Sequence, residues 1–99
     1  MRIIWSPLSI ERVTEIAKHI RRDDPSIAQL VVDAIFESVE KLSEFPESGA
    51  MNPEANRKDI RQLIVKNHRI IYRVESESVL ILTVRHSRQL LEGDVIAEK

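Results

Sequence analysis

Val79-Leu80-Ile81-Leu82-Thr83-Val84 is an almost unbroken apolar run, closed at once by Arg85-His86-Ser87-Arg88. A run without polar alternation fits a strand buried on both faces, and by periodicity alone it also fits a buried helical segment. Its shortness, its β-branched residues and the polar turn ahead of it, Glu75-Ser76-Glu77-Ser78, favour the strand. The most buried strand is therefore expected to run straight into the most cationic short cluster of the chain. A functional surface should begin where that strand leaves the core.

Two further strands precede it. Residues 60–66 (Ile-Arg-Gln-Leu-Ile-Val-Lys) and 69–75 (Arg-Ile-Ile-Tyr-Arg-Val-Glu) are separated by a turn at Lys66-Asn67 or Asn67-His68. Side chains alternate across a strand, so Ile70, Tyr72 and Val74 share one face and Arg69, Ile71 and Arg73 the other. A face covered by helices would not accept two arginines, so the second face is read as open to solvent or to a partner. Tight links between the three strands predict an antiparallel meander.

Upstream, Arg2-Ile3-Ile4-Trp5 reads as a short strand stopped by Ser6-Pro7. Ser6 can cap a helix with Pro7 at its first position, where the missing N–H costs nothing. Val13, Ile16, Ala17 and Ile20 follow at helical spacing. Asp23-Asp24-Pro25-Ser26 breaks that helix, with Asp24 or Ser26 able to cap the next one. The second helix is predicted over 26–44, with Ile27, Ala28, Val31, Ala34, Ile35, Val39 and Leu42 on its buried side. The short link makes the two helices an antiparallel hairpin. Phe45-Pro46-Glu47-Ser48-Gly49 ends the second helix, and residues 50–58 read as a loop. The element order is βααβββ. That predicts an α+β fold in which a helix hairpin packs on one face of a mainly antiparallel four-stranded sheet.

Composition sets outer bounds. Ninety-nine residues suit one domain, with 42% hydrophobic and 31% charged residues and no cysteine. The lack of cysteine rules out a disulfide framework and a thiolate metal site. No signal pattern or membrane-length apolar run is visible, so a cytoplasmic location is expected. The net charge of −1 conceals strong segregation: net +3 over 1–22, −7 over 23–56, +5 over 57–88 and −2 over 89–99. A basic C-terminal half suggests an anionic partner; equally, basic sheet and acidic helix could offset one another within the fold.

The element order and several strings together resemble the RelE/ParE family of type II toxin–antitoxin toxins, in particular its ParE branch. The carriers are the opening Ile3-Ile4-Trp5-Ser6-Pro7, the Phe45 to Gly49 link, Arg61 to Val65, His68 to Val74 and Val79 to Arg88. The resemblance spans about residues 2–91. It implies a single toxin domain over 1–91, with 92–99 as a C-terminal tail. A ParE-like toxin inhibits DNA gyrase by binding and blocks replication, causing growth arrest. It is neutralised by a ParD-like antitoxin within a toxin–antitoxin hetero-oligomer, and the toxin alone is not expected to bind nucleic acid sequence-specifically. The alternatives are a RelE-like ribosome-dependent mRNA endonuclease and a non-toxic member of the fold that only binds.

The candidate target surface comprises Arg61, Arg69, Arg73, Arg85, His86 and Arg88. RNA cleavage would need a phosphate-holding cation and a proton-exchanging group, and for that chemistry the candidates are Arg61, Arg85 and His86. RelE-like nucleases carry a Tyr or His close to the chain end, where this chain has Ser87 and Arg88, so a non-catalytic role is expected. The candidate antitoxin surface is the apolar side of the hairpin: Val13, Ile16, Ile20, Val31, Ile35 and Val39. No cofactor is expected. His19, His68 and His86 stand far apart without a recognisable ligand spacing, so no metal site is expected either.

Overall fold

A computed structural model describes residues 1–87. Arg88, the expected domain end at 91 and the tail 92–99 lie outside the described residues. The elements run β1 (Arg2–Trp5), α1 (Pro7–Arg21), α2 (Pro25–Glu40), a 3-10 turn (Lys41–Ser43), β2 (Ala50–Met51), β3 (Ile60–Val65), β4 (His68–Val74) and β5 (Ser78–His86). The sheet order is β1-β5-β4-β3-β2, with β1 parallel to β5 and the other neighbours antiparallel. The expected α+β class and hairpin are present, but the sheet has five strands. The fifth is β2, inside the stretch read as a loop, where Ala50 pairs with Gln62 and Met51 with Arg61. Two residues carry too little alternation to announce a strand.

The helix starts follow local chemistry. Ser6 Oγ accepts the Ser9 N–H at 3.0 Å, and Pro7 opens α1. Asp24 Oδ1 accepts the N–H groups of Ser26 and Ile27, and Pro25 opens α2. Both caps satisfy donors that a helix leaves unbonded at its first turn. Lys66 and Asn67 sit at φ of 50° and 67°, which makes them the two central residues of a mirror-image turn between β3 and β4.

The helices cover one sheet face. Val13, Val31, Ile35, Val39, Leu42, Ile70, Tyr72, Val79, Ile81 and Val84 form that core. Each such aliphatic side chain contributes about 1.5–3 kcal/mol by leaving water. Ile27 departs from expectation, standing 44% exposed at the first turn of α2. The opposite face carries a second, smaller core of Ile60, Ile71 and Leu82, with Ala55 and Leu80 against it. A register shift between β4 and β5 at Ile71/Tyr72 lets Thr83 face Ile71 while Ile81 faces Tyr72. That bulge sends Val79, Ile81 and Val84 to the helix side and Leu80 and Leu82 to the other.

Candidate binding groove

The expected open cationic face is closed. Arg69 is 6% exposed and Arg73 8%. Arg69 makes two bonds to the Glu54 carboxylate, at 2.7 and 2.8 Å, and a third to Gln62 Oε1 at 3.2 Å. Asn52 Nδ2 donates to the same Gln62 oxygen at 2.9 Å, and Asn52 Oδ1 accepts the Ala55 N–H. The segment after β2 therefore folds back over the sheet and supplies the countercharge. Arg73 pairs with Glu75, whose carboxyl is held below its usual pKa by Arg73 and then by the Ser78 hydroxyl. Sequence alternation places both arginines on the correct face; it does not show that carboxylates 15 residues upstream and two downstream would meet them there.

Arg61 serves the chain as well. Its Nη1 donates to the carbonyls of Gly49, at 2.7 Å, and Glu47, at 3.3 Å. Tyr72, fully buried, accepts the Gly49 N–H at 3.0 Å. Together they pin the link between the 3-10 turn and β2. Burial raises the Tyr72 pKa, so its hydroxyl stays protonated.

The proposed nuclease trio is not assembled. Arg61 lies opposite Tyr72, which lies opposite Ile81, whereas Arg85 is four residues further along β5. At about 3.3 Å per residue, that separates Arg61 from Arg85 by about 13 Å along the strands, besides two strand spacings of about 5 Å across them.

Of the expected antitoxin-facing residues, Val13, Val31, Ile35 and Val39 are 7% exposed or less, because the sheet of the same chain covers them. They offer no surface in this conformation. Ile16 and Ile20 are only partly buried. They line a groove of about 600 Å³ between α1 and the far ends of β4 and β5. Arg12, Glu15 and His19 complete its helix wall, while His68, Val84, Arg85 and His86 form its sheet wall. Arg12 Nη1 bonds Glu15 at 2.9 Å.

All three histidines of the chain therefore reach one groove, from three different elements. His68 and His86 are directly opposite across the β4–β5 pair. Their ring centroids are 5.9 Å apart, edge to face. His68 Nδ1 lies 2.9 Å from the Lys66 carbonyl; a carbonyl only accepts, so Nδ1 carries the proton. Burial lowers the His68 pKa, the Lys66 carbonyl opposes that shift and the His86 charge adds to it. Arg69 and Arg85 are the adjacent register pair, so their side chains leave the sheet on the face opposite the two imidazoles. Sequence reading singled out Arg85 and His86 and missed His68, His19 and Arg12. The one signal for His68 is its position beside the turn, which the register then sets opposite His86.

A small helix hairpin on a five-stranded mixed sheet, with a histidine-lined groove at the sheet's end, defines the class. The chain belongs to the family described as the ParE toxin of the type II toxin-antitoxin system, parDE, whose model matches residues 3–91. It is 38% identical over 90 residues to a protein of Sinorhizobium fredii (strain NBRC 101917 / NGR234) named "Putative toxin Y4kP", covering 89% of this chain and 90% of that one. Among solved structures it resembles a chain of the chromosomal ParDE TA system from P. aeruginosa (TM-score 0.72, 22% identity, 87% and 95% of the two chains). It also resembles a chain of the YoeB dimer from Staphylococcus aureus (TM-score 0.59, 18% identity, 87% and 95%). These two likenesses concern the fold.

Proposed function

We propose that the chain acts in the cytoplasm as a toxin that binds DNA gyrase and blocks replication, causing growth arrest, and that a ParD-like antitoxin neutralises it in a hetero-oligomer. Membership of the ParE family supports the toxin role. The observation that favours binding over RNA cleavage is the separation of Arg61 from Arg85 and His86, with Arg61 occupied on the Gly49 and Glu47 carbonyls. Arg69 and Arg73 are likewise engaged by carboxylates of the chain. Of the six expected residues, we place the target surface at the end of β5: Arg85, His86 and, beyond the described residues, Arg88.

The antitoxin surface contracts to the groove. Ile16 and Ile20 offer apolar contact there, and Arg12 and His19 suit an acidic segment. Among the described residues no helix is long and apolar enough to cross a membrane.

Controlled expression tests the reading. Gyrase-linked DNA breaks with a DNA-damage response are expected, with rescue by the antitoxin encoded beside the toxin. Cuts in ribosome-bound mRNA without gyrase-linked breaks would replace this reading with the endonuclease one, and normal growth would leave a binding-only protein.

A further inference from the structure

The histidine pair at the groove has a second use that no partner protein requires. We propose that His68 and His86 form a two-imidazole clamp for a borderline divalent transition-metal ion of the Zn²⁺ or Ni²⁺ kind, open to water on its groove side. Four observations carry it. First, the register sets the two residues directly opposite on neighbouring strands, so a rigid sheet holds the donors. Second, the ring centroids are 5.9 Å apart. Two imidazoles on one tetrahedral ion, with metal–nitrogen bonds of about 2.0–2.1 Å, have centroids about 5 Å apart, within reach of small side-chain rotations.

Third, the Lys66 carbonyl fixes the proton of His68 on Nδ1. The Nε2 lone pair is then the one available, in the way a ligating imidazole is oriented by the bond its other nitrogen makes. Burial disfavours the charged form of this ring, and a ligand must be neutral. Fourth, the pair lines a groove of about 600 Å³, roomy enough for waters to complete the shell.

Among the described residues no three His or acidic side chains converge closely enough to hold an ion together. The site is therefore a two-donor clamp rather than a closed structural centre, and its affinity should be modest. Arg12, bonded to Glu15 on the same helix wall, weakens it further by charge. Imidazole donors select Zn²⁺, Ni²⁺ or Cu²⁺ over Mg²⁺ and Ca²⁺, which want oxygen. The clamp is independent of which macromolecule the toxin stops.

The experiment titrates the tag-free full chain with zinc or nickel chloride slightly above neutral pH, followed by calorimetry and thermal melting. One ion per chain is expected, with a Tm that climbs with ion concentration because only the folded register forms the clamp. The ring signals of His68 and His86 should shift in NMR spectra while that of His19 stays. Losing an outer partner of a ligand costs about 10–100-fold in metal affinity, so His68→Ala and His86→Ala should each cost at least as much. His68→Gln and His86→Asn, milder changes, guard against lost folding and should give the same loss. The inference is overturned if binding does not saturate, if these variants bind as the parent does, if His19→Ala is the one that abolishes binding, or if Mg²⁺ binds equally well.

Discussion

Gly49 has no room for a side chain: a Cβ there would stand 2.5 Å from the Gln62 carbonyl oxygen and 2.6 Å from the Tyr72 hydroxyl. Gly49→Ala must therefore push the Phe45 to Gly49 link off the sheet and loosen the Gly49–Tyr72 bond. A loss of about 1–3 kcal/mol is expected, read as a lower urea midpoint at unchanged slope. The glycine was legible as a turn residue; the close approach that forbids a methyl group was not, since it depends on Tyr72, 23 positions away.

His68 supplies a second prediction at this scale. Its folded pKa lies below the ordinary 6.5, chiefly through burial. Between the two values the unfolded chain holds more protons, so stability falls as pH drops through 6.5 toward the folded pKa. Above 6.5 the ring is neutral in both states and the penalty disappears. Melting curves across that window should show the decline in the parent and a flatter profile in His68→Gln. An equal decline in both would assign the effect to other groups.

Among the elements, the junction of β1 and α1 carries more than a helix cap. Ser6 Oγ accepts from the Ser9 N–H and donates to the Leu82 carbonyl, each at 3.0 Å, and the Ser6 N–H donates to the Ile81 carbonyl at 3.1 Å. One side chain thus starts α1 and fastens it to β5 beyond the β1 pairing. Ser6→Ala should cost about 1–2 kcal/mol, the sum of a lost cap and a buried carbonyl left short of a partner. Hydrogen exchange should quicken at the Ser9 amide more than at the start of α2, where Asp24 holds an independent cap. The cap was readable in Ser6-Pro7 because it is local. Its second bond, 76 positions away, was not. The same division separates β4, announced by its alternation, from β2, which pairs through two residues and has no pattern of its own.

Over the whole molecule, an ion pair joins the two segregated halves, and others lie within the basic one. The acidic 23–56 stretch supplies Glu54, which neutralises Arg69, and the basic 57–88 stretch pairs Arg57 with Asp59 and Arg73 with Glu75. The surface proposed for the target is the end of β5. Arg85→Ala combined with Arg88→Ala should abolish toxicity while antitoxin binding, measured by co-purification, survives. Growth arrest that persists in the double variant would remove this end of the sheet from the target surface.

The order of the elements other than β2, the hairpin, the candidate caps at both helix starts and the two faces of β4 follow from spacing and turn chemistry within about ten residues of chain, and so were legible in the residues alone. The fifth strand, the carboxylate partners of Arg69 and Arg73, the burial of Val13, Val31, Ile35 and Val39, and the meeting of His19, His68 and His86 were decided only by tertiary structure. The physical reason is distance along the chain. A side chain's periodicity tells which face it occupies, but the charge, carbonyl or ring that meets it there comes from another element brought alongside by the packing of the sheet.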